Sequence, residues 1–144
     1  MFLLSIFAAA AACFIIGFLM HGPILGKLWM KLADIHPTGN EKFSDMYGKM
    51  AWNFVANIVT SFVVYCIAQF VLKAKLLNSL EGFVDRTTAI ESGIIASLLI
   101  WLVIAAGSSM EVIWMGKKWK LWMFEILTSL ICFVVMGIII GAMM

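Results

Sequence analysis

Four uncharged stretches, residues 1–26, 50–72, 92–110 and 126–144, take up most of this chain of 144 residues and leave little for a water-facing domain. Crossing a bilayer as a helix takes about 20 mostly apolar residues at 1.5 Å rise each. With no water in the hydrocarbon to satisfy backbone groups, segments of this length are helices and not open strands. Composition agrees. Charged residues make up 12% of the chain and apolar ones 64%, against roughly 25% charged in soluble domains, and the mean hydropathy is +1.06. The expectation is an all-α, integral membrane four-helix bundle forming a single domain over 1–144. Its helices are expected at about 2–20, 50–72, 91–109 and 121–143.

Several function classes fall away on composition. A net charge of +2, with basic residues beside apolar segments and not in a patch, excludes nucleic acid as a partner. Cys13, Cys66 and Cys132 each sit in a different apolar segment with no CxxC or Cys/His spacing, so neither a zinc site nor a redox pair is indicated, and they read as small buried hydrophobes. The eleven methionines read as apolar filler. Ser108 and Ser109 have no local base. The sequence therefore names no catalytic residue, no metal site and no cofactor. No Lys or Arg precedes the first apolar run, so 2–20 reads as a retained helix and not a cleaved signal.

Loop one (21–49) is the longest. Pro23 and the run His36-Pro37-Thr38-Gly39-Asn40 are turn signals. Between them, residues 24–32 mix apolar side chains with Lys27, Lys31 and Trp29, which predicts a short interfacial helix whose lysines reach toward headgroups. Residues 41–49 read as one or two helical turns leading into helix two. Loops one and three hold seven lysines, namely Lys27, Lys31, Lys42, Lys49, Lys117, Lys118 and Lys120, while loop two holds Lys73, Lys75 and Arg86. Basic loops stay cytoplasmic, so both termini are expected to face away from the cytoplasm. Trp29, Trp52, Trp114, Trp119 and Trp122 border the same two loops as an aromatic belt, and only Trp101 lies deep.

Polar residues inside the apolar segments carry whatever chemistry there is. Asn53, Asn57, Thr60, Ser61, Tyr65 and Gln69 form one slowly turning stripe on helix two. It serves either interhelical hydrogen bonding or the lining of a path for a small solute or ion. Glu125 lies about 4.5 Å below Trp122, three residues at 1.5 Å each, near His21, Lys27, Asn53, Asn57 and Glu111 at one end of the bundle. It either pairs with a loop lysine or with His21 and fixes packing, or it handles a proton or cation. Gly137 and Gly141 form a GxxxG, which lets backbones approach closely, within the bundle or between copies.

Residues 17–30, GFLMHGPILGKLWM, resemble the signature that follows the first helix in bacterial "domain of unknown function 1761" proteins: a glycine, an aromatic-rich pair, a proline, then GK-x-WM. Met20 and His21 stand where the aromatic pair is usual. Residues 113–122, IWMGKKWKLW, followed by Glu125, Gly137 and Gly141, resemble the basic, Trp-containing start of that family's last helix. The resemblance implies a small bacterial inner-membrane protein of this layout and carries over no catalytic residues. Three classes of function remain: a structural or accessory component, as a homo-oligomer or with a membrane-protein partner; a small-solute or ion transporter or channel built by oligomerisation; and a membrane-embedded enzyme or lipid-binding protein. A cavity-free bundle favours the first, and a ligand between Lys27, Trp29 and Glu125 the third.

Overall fold

A computed structural model describes residues 1–35, 43–78 and 85–144. Its elements are α1 (Phe2–Leu19), a π-helical turn (Met20–Ile24), α2 (Gly26–Leu32), α3 (Phe43–Asn78), α4 (Arg86–Met115) and α5 (Trp119–Met143). Among the described residues there is no strand. Four helices are long and apolar enough to span a bilayer, with hydropathies of 2.6, 2.0, 2.2 and 2.6 in chain order. The all-α membrane bundle expected from the hydropathy pattern is what forms. The turn run 36–40 lies outside the described residues, as do Glu41, Lys42 and residues 79–84 of loop two.

α1 keeps close to its expected limits, whereas α3, α4 and α5 overrun theirs. α3 has 36 residues, about 54 Å at 1.5 Å each, and so extends past a hydrocarbon layer of about 30 Å. Hydropathy marks where lipid ends, whereas a helix stops only where its backbone finds another hydrogen-bond solution. For α4 that solution is Gly116. Its φ of 70° is the left-handed geometry a glycine adopts without strain, and it returns the Lys117 amide to the Glu111 carbonyl at 3.3 Å.

α1 ends differently. Pro23 has no N–H and its ring crowds the carbonyl four residues earlier, so the chain widens into the π-turn that contains it. Leu25 then leaves helical geometry. A Cβ at Gly26 would lie 2.7 Å from the His21 carbonyl oxygen, so only glycine lets the chain fold back tightly enough to start α2. This short helix, expected over 24–32, touches both the π-turn and α5. Beyond it, Asp34 (φ 54°) turns the chain and its carboxylate pairs with Lys118.

The spanning helices form a ring in the order α1–α3–α4–α5, with slighter contact across the α3–α5 diagonal. The closest approach is between α4 and α5. A Cβ at Gly137 would lie 2.5 Å from Ser97 Oγ and 2.6 Å from the Gly93 carbonyl oxygen, and one at Gly141 would lie 2.5 Å from Ile90 Cα. The GxxxG is therefore used inside the bundle, against the small residues Ala89, Gly93 and Ser97 of α4. The core is small: Ala9, Cys13, Val64, Ala68, Ala96, Phe133, Met136 and Ile140. Large apolar side chains such as Phe70 and Val103 point outward, as lipid contact requires.

Substituting Gly137→Leu should cost about 1–3 kcal/mol of bundle stability by overpacking. Gly107→Ala, where an added Cβ meets nothing within 4 Å, should be neutral or stabilising. Thermal unfolding in detergent, followed by circular dichroism, reads both, and equal melting temperatures for the two variants would contradict the packing described.

Candidate functional site

The end of the bundle bearing the π-turn and loop three is hollow. A cavity of about 650 Å³ lies between α1, α3 and α5, beneath Trp29 of α2. It runs from His21 to Cys13 on α1, from Lys49 to Asn57 on α3, and from Glu125 to Phe133 on α5. Each stretch covers nine residues, eight rises of about 1.5 Å, so each gives a depth of about 12 Å, less than half a hydrocarbon layer of about 30 Å. Below its floor the packed core closes the interior.

The lining follows helical periodicity. On α5, Glu125, Thr128, Ser129, Cys132 and Phe133 are spaced 3, 4, 7 and 8 residues from the first, one face of a helix. On α1 and into the π-turn, Phe14, Gly17, Phe18 and His21 repeat the pattern. The walls thus combine aromatic and sulfur side chains with Asn53 and Asn57 on α3 and Thr128 and Ser129 on α5, and the charged groups, Glu125 and Lys49, stand at the mouth.

Glu125 is the centre of those polar groups. Its Oε2 lies 2.5 Å from Lys117 Nζ, which also bonds Glu111 Oε2 at 2.9 Å. Of the partners foreseen for Glu125, a loop lysine or His21, it is the lysine that pairs. Burial pulls the Lys117 ammonium down, but the hydrogen bonds it donates to Glu125 and then Glu111, with the charges of both, outweigh it, and its pKa ends above the usual lysine range. Lys117 can reach both carboxylates because the Gly116 turn sets it between the end of α4 and the start of α5.

His21 serves as a hub. Its Nδ1 bonds the Gly17 carbonyl at 3.0 Å, and its ring meets Trp29 and Phe124 edge to face, each at 5.6 Å. The π-turn, α2 and α5 are thereby held together over the cavity. Asn57 Nδ2 donates to Asn53 Oδ1 at 2.8 Å, and both residues line the cavity.

The polar stripe of α3 does not stay together. Thr60 and Ser61 spend their hydroxyls on the carbonyls of Ala56 and Asn57. Tyr65 and Gln69 bond each other at 3.1 Å, with Tyr65 against Phe2 at 4.8 Å. They lie beyond the cavity floor, near the opposite end, so the structure does not bring them to the site. At the mouth, Lys27 and Lys31 are exposed, and Trp119 meets Trp122 at 5.6 Å. Trp122 donates to Ser108 Oγ at 3.0 Å. The deep Trp101 ties α4 to α5 through the Ile126 carbonyl and Ser129.

Two features escaped sequence reasoning. One is Lys117 as the shared counter-ion, since Lys117, Lys118 and Lys120 look alike in sequence. The other is the meeting of Cys13 with Cys132, whose Sγ and carbonyl oxygen lie 3.1 Å apart; the helical spacing of Glu125 and Cys132 was the available signal. Among the described residues no cluster of three His, Cys, Asp or Glu side chains is placed to hold a metal ion.

Because the folded state favours the charged ammonium, the stabilisation from Lys117 should be fully present at neutral pH and fade as pH rises through its raised pKa. The melting-temperature difference between wild type and Lys117→Met should correspond to about 1 kcal/mol or less at pH 7 and vanish in strong alkali. A difference that grows with pH would reverse the sign argued here.

No curated relative and no solved structure matches the chain. A family model described as "Protein of unknown function (DUF1761)" matches residues 4–141, a span that takes in the cavity lining, the π-turn with α2, the basic turn before α5 and the Gly93–Gly137 contact. On that match the chain belongs to the DUF1761 family.

Proposed function

We propose that this membrane protein binds a small amphipathic molecule, with its apolar part against the aromatic walls and its polar end at the Glu125–His21 mouth. The observation that carries this reading is the cavity itself. Its volume of about 650 Å³ falls in the range of small-molecule sites, which are mostly apolar with a few convergent polar groups. A purely structural bundle has no need of such a space, and filling it would stabilise the protein. The closed floor formed by Cys13, Cys132 and Phe133 argues against a path through a single chain. The two thiols in the lining, Cys13 and Cys132, are each turned to the other's carbonyl with no base beside them, and among the described residues no metal-holding cluster accompanies the site, so binding is favoured over catalysis.

The basic loops support an orientation in a bacterial inner membrane in which the cavity mouth opens toward the cytoplasm and both termini face away. In a background with all three cysteines replaced, Lys120→Cys should be labelled by a membrane-impermeant maleimide only from the cytoplasmic side, and Leu77→Cys only from the other. The reverse pattern would invert the assignment.

Gly17 offers the test of binding. It lines the cavity, and a Cβ there meets nothing within 4 Å, so Gly17→Phe fills the space without straining the fold. Native mass spectrometry from lipid nanodiscs should find one small ligand per chain in the wild type and none in Gly17→Phe, with melting temperature unchanged or raised. Identical spectra for both proteins would remove the proposal. The same spectra count the chains per particle, on which the homo-oligomer reading turns.

A further inference from the structure

We infer that the ligand of this cavity is a lipophilic organic cation, a substituted ammonium or a comparable onium group, with Glu125 as its counter-charge. The inference rests on the binding reading above and adds the sign of the ligand's charge.

Charge balance is the first argument. Glu125 lies on the cavity wall, and the cation it pairs with, Lys117, is divided between Glu125 and Glu111. Two carboxylates share one ammonium, so this triad carries a net charge of −1 where it borders the cavity. A carboxylate in such surroundings is costly without a full partner, and a bound cation supplies the missing half.

Hydrogen-bonding capacity is the second. A carbonyl only accepts, so the bond between His21 and Gly17 places the proton of the neutral ring on Nδ1 and leaves Nε2 an acceptor. Thr128 and Ser129 give their hydroxyl protons to the carbonyls of Phe124 and Ile126, so what they still offer is lone pairs. Asn57 spends one amide proton on Asn53. Beside Glu125, on the π-turn and α5, the donors are thus committed while acceptor lone pairs remain, which suits an electropositive group there; the uncommitted amide protons belong to Asn53 and Asn57 on α3.

The third is the aromatic lining. Phe14, Phe18, Trp29 and Phe133 surround the space, and ring faces attract cations, Trp most strongly. The opposing group is Lys49, at the rim and exposed, where water and headgroups screen it. It lacks the burial that gives Glu125 its weight.

This arrangement makes Lys117 an internal competitor. Removing it should strengthen cation binding, the opposite of what a merely structural lysine would do. Removing Glu111 should weaken binding, because Lys117 would then belong to Glu125 alone.

The test is equilibrium binding of tetraphenylphosphonium to the full chain in phosphatidylcholine nanodiscs, with dodecyltrimethylammonium and dodecanoate as competitors. The expected result is one saturable site per chain, displaced by the alkylammonium and not by the carboxylate. Glu125→Gln should lower affinity about tenfold or more, the effect of losing one desolvated charge contact. Lys117→Met should raise affinity severalfold, and this variant keeps the idea testable should Glu125→Gln not fold. Displacement by dodecanoate, or tighter binding in Glu125→Gln, would overturn the charge assignment while leaving the cavity reading intact. Phosphonium uptake unchanged in Gly17→Phe would be bilayer partition, and it overturns the assignment too. If neither cation nor carboxylate binds, and Gly17→Phe also leaves the native mass spectra unchanged, both readings fall.

Discussion

Close backbone approach between α4 and α5 is the interaction on which the rest of the bundle depends. Lipid tails are as apolar as leucine, so spanning helices gain no hydrophobic free energy by leaving lipid for one another, and they associate through packing and interhelical polar contacts. Here that packing is concentrated where Gly137 and Gly141 meet Ala89, Gly93 and Ser97. Small residues continue across the same half of the bundle, with Ala9, Ala68 and Ala96 in the core. Toward the other end α5 carries Trp119, Trp122 and Phe124, too bulky for backbones to meet. The small-residue contact thus lies away from the cavity, which opens at the other end between α1, α3 and α5.

Polar groups inside lipid must find partners, and most do so within their own helices. Ser5, Ser61, Ser92, Ser97 and Thr128 are all buried, and each donates to a carbonyl three or four residues earlier. Among the described residues, no buried side-chain nitrogen or oxygen lacks a hydrogen bond. Such hydroxyls cost the fold little and say little about function. Groups bonded between elements break the pattern: Cys13 with the Cys132 carbonyl, Lys75 with Glu91 and, on one side of the bundle, three more, Glu125 with Lys117, Trp122 with Ser108 and Trp101 with the Ile126 carbonyl. All three bind α5 to α4 or to the turn between them, so the helix that lines one wall of the cavity is also the most firmly anchored.

How far the fold was legible in the sequence depends on which physical signal each residue carries. The four spans were readable because hydropathy over about 20 residues has one solution in lipid. Their ends were not: Lys49 and Lys75 look like loop residues by charge, yet both sit on α3, whose backbone stays helical in water as readily as in lipid. The corner at 20–26 was readable as a break from Pro23, but the π-turn and the doubling back over it depend on the missing side chain of Gly26 against His21, a tertiary distance. Glu125 and His21 stood out as polar groups at one level, and both line the cavity. Their pairing was open, because three lysines lie within three residues of Trp119. What selects Lys117 is the left-handed Gly116, a backbone feature whose consequence appears only when α4 and α5 are both in place. Tyr65 and Gln69 were drawn into the site by extending a stripe along α3 without its neighbours, although Val64 and Ala68 fill the core between the two halves.

A shared lysine also explains how an open cavity tolerates a carboxylate on its wall. Left alone, Glu125 would face aromatic carbon with no cation beside it, and the α5 end would lose its tie to loop three. A dedicated lysine would cure that but neutralise the site, leaving nothing for a charged ligand to gain. Dividing one ammonium between Glu111 and Glu125 lies between these extremes. Lys117 keeps a partner even when it yields Glu125, so exchange of one cation for another at that carboxylate breaks one contact and never strands a charge. The weakness of any single exposed or half-exposed ion pair, commonly 1 kcal/mol or less, is then an advantage, because a strong resident pair would shut the site. Rigidity on the α4–α5 side and exchangeability at its mouth come from the same short turn, where Gly116 ends one helix and sets Lys117 between two acids.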